Sequence, residues 1–208
     1  VTKEDYLARV YSMPPRFGSI SKAYITQDDV VQQANSIGTN TANPLALNLY
    51  ILSYDENKNL TITNETTKQN LRQYINQYRM LTDAINIRNG FVVNIGVDFD
   101  VLTLPGSNAK EVLFNVIKVV RDFFQIDKWQ FNQPIMLPSL TAQMDQVDGV
   151  QTITNLTIKN NVNPVNGYSG AIYNIENATH NNIIYPSLDP MIWEIKYPDK
   201  DIRGKVIG

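Results

Sequence analysis

Asp98 and Asp100 stand two apart in an alternating run, so a strand there points both carboxylates to one face. A DxD pair of this kind holds a divalent cation in some sugar-nucleotide enzymes. Two carboxylates fall short of the six or more oxygens a Ca²⁺ ion takes, and a strand with one wet face needs a polar residue at every second position in any case. The solvated-strand reading is therefore favoured. Asp28 with Asp29, Asp145 with Asp148, and Asp199 with Asp201 read in the same way as caps, turns and surface. His180 is the only imidazole and sits in the amide-rich stretch Asn177 to Asn182, with no Gly-x-Ser-x-Gly elbow to supply a nucleophile. A metal site built on histidine spacing is excluded by number, and one built on thiolates by the absence of cysteine. Neither GxxxxGK[ST] nor GxGxxG occurs, so no loop is shaped to cradle phosphate. The expectation is no catalytic residue, no cofactor-binding residue and no metal ligand.

Composition points to contacts between macromolecules. Eighteen Lys and Arg against 20 Asp and Glu leave a net charge of -2, which argues against a nucleic-acid binder with its basic excess. Asn occurs 24 times and Gln 12 times, giving a surface rich in uncharged donors and acceptors that suits wet protein interfaces. The four Asn-x-Thr sequons at Asn59, Asn64, Asn155 and Asn177 are chance matches in so Asn-rich a chain. Trp129, Phe131, Tyr168, Tyr173, Tyr185, Trp193 and Tyr197 gather in the later half without interleaved basic residues, favouring core and protein-interface roles over base stacking. No apolar run approaches the ~20 residues that span a bilayer, so a soluble chain with no membrane partner is expected. A start at Val1 without an initiator Met makes a piece of a longer protein the expectation.

At 208 residues the chain can bury a sizeable core, and periodicity shows which elements build it. Thr2 caps a short helix with Glu4 and Asp5 in its first turn and Tyr6, Leu7, Val10 and Tyr11 in one stripe, stopped by Pro14-Pro15. Ser19 to Thr26 alternates as a weak strand, and residues 27–44 read as a polar loop. Leu45 to Tyr54 is a β-rich run. A helix follows from Glu65 to Arg79, capped by Thr63 or Asn64. Phe91 to Leu104 is a long strand with Phe91, Val93, Ile95, Val97, Phe99 and Val101 on one face and Asn94, Asp98 and Asp100 on the other.

Ser107 or Asn108 caps a helix from Ala109 to Gln125 whose apolar residues cover more than half its circumference, so it is either sandwiched within the domain or part of a subunit interface. Trp129 to Leu137 reads as a strand or extended segment closed by Pro138, Ser139 to Val147 as a short helix stopped at Gly149, and Val150 to Ile158 as an alternating strand. Beyond the connector 160–167 come short β-like pieces, Ala171 to Ile175, Asn182 to Tyr185 and Met191 to Tyr197. The expected fold is α+β. It divides into a helix and strand segment over 1–44, an α/β core over 45–159 with a mixed sheet carrying both longer helices on one face, and a β-rich appendage over 160–208.

Tyr11-Ser12-Met13-Pro14-Pro15-Arg16-Phe17-Gly18 followed by Lys22-Ala23-Tyr24-Ile25 resembles the baseplate wedge protein of T-even-like contractile-tailed bacteriophages. So do Leu49-Tyr50-Ile51-Leu52-Ser53-Tyr54, Lys68-Gln69-Asn70-Leu71, the run Arg79 to Ile87, Tyr185-Pro186-Ser187 with Asp189-Pro190, and Lys196-Tyr197-Pro198-Asp199 with Asp201-Ile202-Arg203-Gly204. A looser similarity to baseplate J-like proteins rests on Leu81-Thr82-Asp83 before a long strand, the helix Val112 to Phe124, and Met144 to Val150. The resemblance implies the C-terminal portion of a structural wedge subunit with no catalytic residues to transfer. Such a subunit joins wedges into a ring around the tail hub, in a virion baseplate assembled in the host cytoplasm, with other wedge proteins as partners. The apolar circumference of Ala109 to Gln125 and the aromatics after Tyr168 add the expectation of a partner in a second copy, as a two-fold dimer. The alternative is a carbohydrate-binding or carbohydrate-processing tail component, from Asp98, Asp100 and the later aromatics.

Overall fold

The computed structural model describes residues 2–27, 46–78 and 84–207. Residues 28–44 of the expected loop, the Asp28-Asp29 pair and the Leu81-Thr82-Asp83 motif lie outside the described residues, whereas the helix expected to run to Arg79 ends at Asn76. The chain packs as two compact units, Val1–Gly90 and Phe91–Gly208. The divisions at 44/45 and 159/160 are changes of sequence character, whereas the packing boundary falls at Gly90.

The first unit holds α1 (Lys3–Tyr11), β1 (Lys22–Gln27), β2 (Ala46–Tyr54), β3 (Leu60–Thr61), α2 (Glu65–Asn76) and β4 (Ala84–Asn89). Thr2 and Asp5 close a capping box on α1: the Thr2 hydroxyl accepts from the Asp5 N–H at 3.2 Å, and the Asp5 carboxylate accepts from the Thr2 N–H at 2.8 Å. Asn64 rather than Thr63 caps α2, accepting from the Thr67 N–H at 2.7 Å. β2 is the organising strand, antiparallel to β1 and β3 and parallel to β4. Ala23 faces Ile51 and Ile25 faces Leu49, so the four share one sheet face, on which Tyr6 and Val10 of α1 and Leu71 and Ile75 of α2 are buried.

The second unit holds β5 (Phe91–Thr103), α3 (Ala109–Phe123), β6 (Ile135–Met136), α4 (Leu137–Asp145), β7 (Val150–Asn160), α5 (Ile175–Ala178), β8 (Thr179–His180), β9 (Ile183–Ile184), β10 (Met191–Glu194), α6 (Pro198–Asp201) and β11 (Ile202–Ile207). β5 is central. β7 runs antiparallel along one edge, and β10 and then β11 run parallel along the other. Met191 faces Phe91 while Ile202 faces Val97, so 11 residues of the C-terminal run span what six cover in β5. The excess is taken up by α6. Val93, Ile95, Val97, Phe99 and Val101 are buried on one face of β5. α3 packs on β11, burying Val112, Val116 and Val120, and α4 packs on β7, burying Leu140 and Met144.

An α+β fold with mixed sheets is what the chain adopts. Several details differ from the sequence reading. The two longer helices lie on separate sheets, because the runs Ala46–Tyr54 and Phe91–Thr103 each recruit their own partners. Pro138 opens α4 instead of closing a strand, at a position where the missing N–H has no helical acceptor to lose. The stretch Ala171 to Ile175 forms no strand; Asn174 instead caps α5 by accepting from the Asn177 N–H at 3.0 Å. Strands β4 and β11 were not anticipated. The β-rich segment after residue 160 sends β10 and β11 into the sheet of β5, while β9 pairs with both β6 and β8 in a small sheet of their own.

Candidate functional site

Asp98 and Asp100 do lie together on one face of β5, half-buried, and their neighbours define their chemistry. Across one edge Arg203 faces Asp98 and Lys205 faces Asp100. On the other side Thr157 faces Asp98 and Asn155 faces Asp100. The Lys159 ammonium forms an ion pair with the Asp98 carboxylate, and the Asn155 amide donates to Asp100 at 3.5 Å. Two carboxylates flanked by three cations form a cross-strand charge ladder, an arrangement that stabilises a solvated sheet face. Among the described residues no group of three or more His, Asp or Glu is placed to hold a metal ion.

A polar cleft of about 370 Å³ opens beside Asp98, walled by Lys159, Asn161, Tyr168, Lys200 and Arg203. Its floor is Asp201, which is 5 % exposed, against the surface role read from the sequence. One Asp201 oxygen accepts from the Tyr168 hydroxyl at 2.6 Å and the Asn161 amide at 3.0 Å; the other accepts from the Tyr197 N–H at 2.9 Å. The carboxylate thus ties α6 to the chain leaving β7. Burial first, then the hydrogen bond to Asp201 and its charge, push the Tyr168 phenol up to about 12.

A second polar node was missed entirely. Asn94, read as a wet-face residue, is 1 % exposed and donates from its amide to the Glu194 carboxylate at 2.8 Å. Its amide oxygen accepts from the Ser169 N–H at 2.6 Å, and the Ser169 hydroxyl donates to the Val92 carbonyl. The available signal was Glu194 inside the apolar run Met191-Ile192-Trp193, since a carboxylate there needs a buried polar partner. Glu194 faces Asn94 in the parallel register.

His180 is exposed and precedes Asn181 and Asn182, whose φ values of 52° and 60° make the two-residue hairpin turn between β8 and β9. Asp145 accepts from the Ile153 N–H at 2.9 Å, and Asp199 pairs with Arg121. Trp129, Phe131 and Trp193 are buried, with Phe124 stacked on Trp129 at 5.3 Å and Tyr173 edge-on to Trp193 at 5.2 Å. Trp129, Phe131 and Trp193 belong to the core, whereas Tyr173 is half-buried and Tyr185 is exposed. Phe91, expected inside, is 51 % exposed at the start of its strand. No helix among the described residues is long and apolar enough to cross a membrane.

No protein-family model matches the sequence, and neither does any curated protein. Among solved structures the fold is similar to a chain in the cryo-EM structure of the anti-feeding prophage (AFP) baseplate, 6-fold symmetrised. The TM-score is 0.50 at 11 % identity, covering 100 % of this chain and 37 % of that one. This chain therefore shares its fold with just over a third of a chain in that prophage baseplate.

Proposed function

We propose that the chain is a structural, non-catalytic component of a contractile-tail baseplate wedge, acting through protein–protein contacts that join wedges into a ring around the hub. The observation that carries this reading is the fold similarity over the whole chain to part of a chain from a prophage baseplate. The ordered motifs from Tyr11 to Gly204 that resemble the T-even-like wedge protein support it, as does an amide-rich surface of nearly balanced charge. Its partners are other wedge proteins and a second copy of itself, and its place is the virion tail, assembled in the host cytoplasm. No residue is assigned a catalytic, cofactor or metal role. The alternative, a carbohydrate-binding or carbohydrate-processing tail component drawn from Asp98, Asp100 and the later aromatics, is disfavoured by the Lys159 ion pair to Asp98 and the Asn155 contact to Asp100.

The test is genetic. Particles made without the gene are expected to accumulate wedge intermediates and no closed baseplate ring in electron micrographs. Normal rings with a lost or altered host-attachment step would overturn the structural reading in favour of a receptor-directed one.

A further inference from the structure

The outward side of α3 carries a row of four exposed residues at four-residue spacing, Lys110, Phe114, Lys118 and Asp122. Phe114 is 67 % exposed, although the helix buries Val112, Val116 and Val120 on its opposite side. No ion pair among the described residues involves Lys110, Lys118 or Asp122, whereas the neighbouring Arg121 is paired with Asp199. We propose that this row is the contact through which the chain pairs with a second copy of itself about a two-fold axis; the proposal rests on the self-association reading above and names its surface.

The argument is charge complementarity. Rows spaced four residues apart run alongside one another when two helices cross at about -50°, the commonest packing class. In an antiparallel pair centred between Phe114 and Lys118, Lys110 meets Asp122 of the second copy, and Phe114 meets Lys118 of the second copy. Each pairing occurs twice by symmetry, giving two opposite-charge contacts and two ammonium-on-ring contacts. A shift of one turn destroys the match: one direction sets Lys110 against Lys118, the other sets Lys118 against its own copy. Parallel alignment sets like charge on like. One helix row is a small interface, so the pairing is weak in solution and gains strength where an assembly raises the effective concentration.

The absence of cysteine makes the test clean. Lys110→Cys and Asp122→Cys proteins, mixed and treated with a short bifunctional maleimide, are expected to give mixed cross-linked dimers, with little product from either protein alone. By sedimentation equilibrium, Lys110→Asp is expected to weaken association about tenfold, by turning two attractive contacts into repulsive ones, and Lys110→Asp/Asp122→Lys to restore it. A dimer that forms without the mixed cross-link, or that the double variant fails to restore, overturns the α3 row while leaving self-association standing. A monomer throughout the accessible concentration range overturns both.

Discussion

Gly204 faces Phe99 across the β5–β11 pairing, and a methyl group at position 204 would lie 2.5 Å from both the Phe99 ring and the Leu113 side chain. The missing side chain lets α3 settle on β11. Overfilling a packed site of this kind costs about 1–3 kcal/mol. Gly204→Ala is expected to lower stability within that range and Gly204→Val to lower it further, measured by urea denaturation; wild-type stability in both would mean that α3 does not lie on this strand.

The Tyr168–Asp201 hydrogen bond makes stability depend on alkaline pH. The phenol is raised to about 12 in the folded chain, by burial first and then by Asp201, while an unfolded tyrosine ionises near 10. Keeping the proton favours the folded state, so this stabilisation is complete below about pH 10 and is lost as the pH rises towards 12. Tyr168→Phe should cost about 1.5–3 kcal/mol at pH 8, as for a hydrogen bond to a charged acceptor. It should also flatten the fall in stability above pH 10. Denaturant titrations at several alkaline pH values measure both, and an unchanged alkaline slope would contradict the assignment.

Val97 is paired on both sides, with Ile158 of β7 and Ile202 of β11. Val97→Pro removes an N–H from the middle of the sheet and is expected to cost about 3 kcal/mol or more. A cooperative melt close to that of the parent, followed by circular dichroism, would show that β5 is not the central strand.

The charge ladder around Asp98 predicts indifference to metals and sugars. Asp98→Ala should change stability by less than about 1 kcal/mol, as for other exposed pairs. Neither Ca²⁺ nor Mn²⁺ should raise the melting temperature, and a glycan array should show no specific binding. A metal-dependent shift that Asp98→Ala abolishes would restore the carbohydrate reading.

Elements whose own residues carry the signal were legible. The Thr2 cap with acidic residues behind it, the alternation of buried residues from Val93 to Val101 and the valine stripe of α3 all depend on spacing within one segment. What stayed hidden depends on partners far along the chain. β11, with the sequence IRGKVI, has two charges and a glycine and does not look like a strand until Arg203 and Lys205 are set against Asp98 and Asp100, and Gly204 against Phe99. Asn94 looked wet because polar residues alternated around it. Only the register that brings Glu194 alongside explains its burial. Asp201 was hidden by the turn of α6, which folds a surface-like Pro-Asp-Lys-Asp run back onto Asn161 and Tyr168.

The most direct test of the central claim is a cryo-EM reconstruction of the tail tip of particles that carry this chain. The two units, Val1–Gly90 and Phe91–Gly208, are each expected to fit density within a ring of repeated subunits around the central hub. Density for the chain confined to a peripheral fibre or receptor-binding appendage, with the ring built wholly from other proteins, would contradict the account.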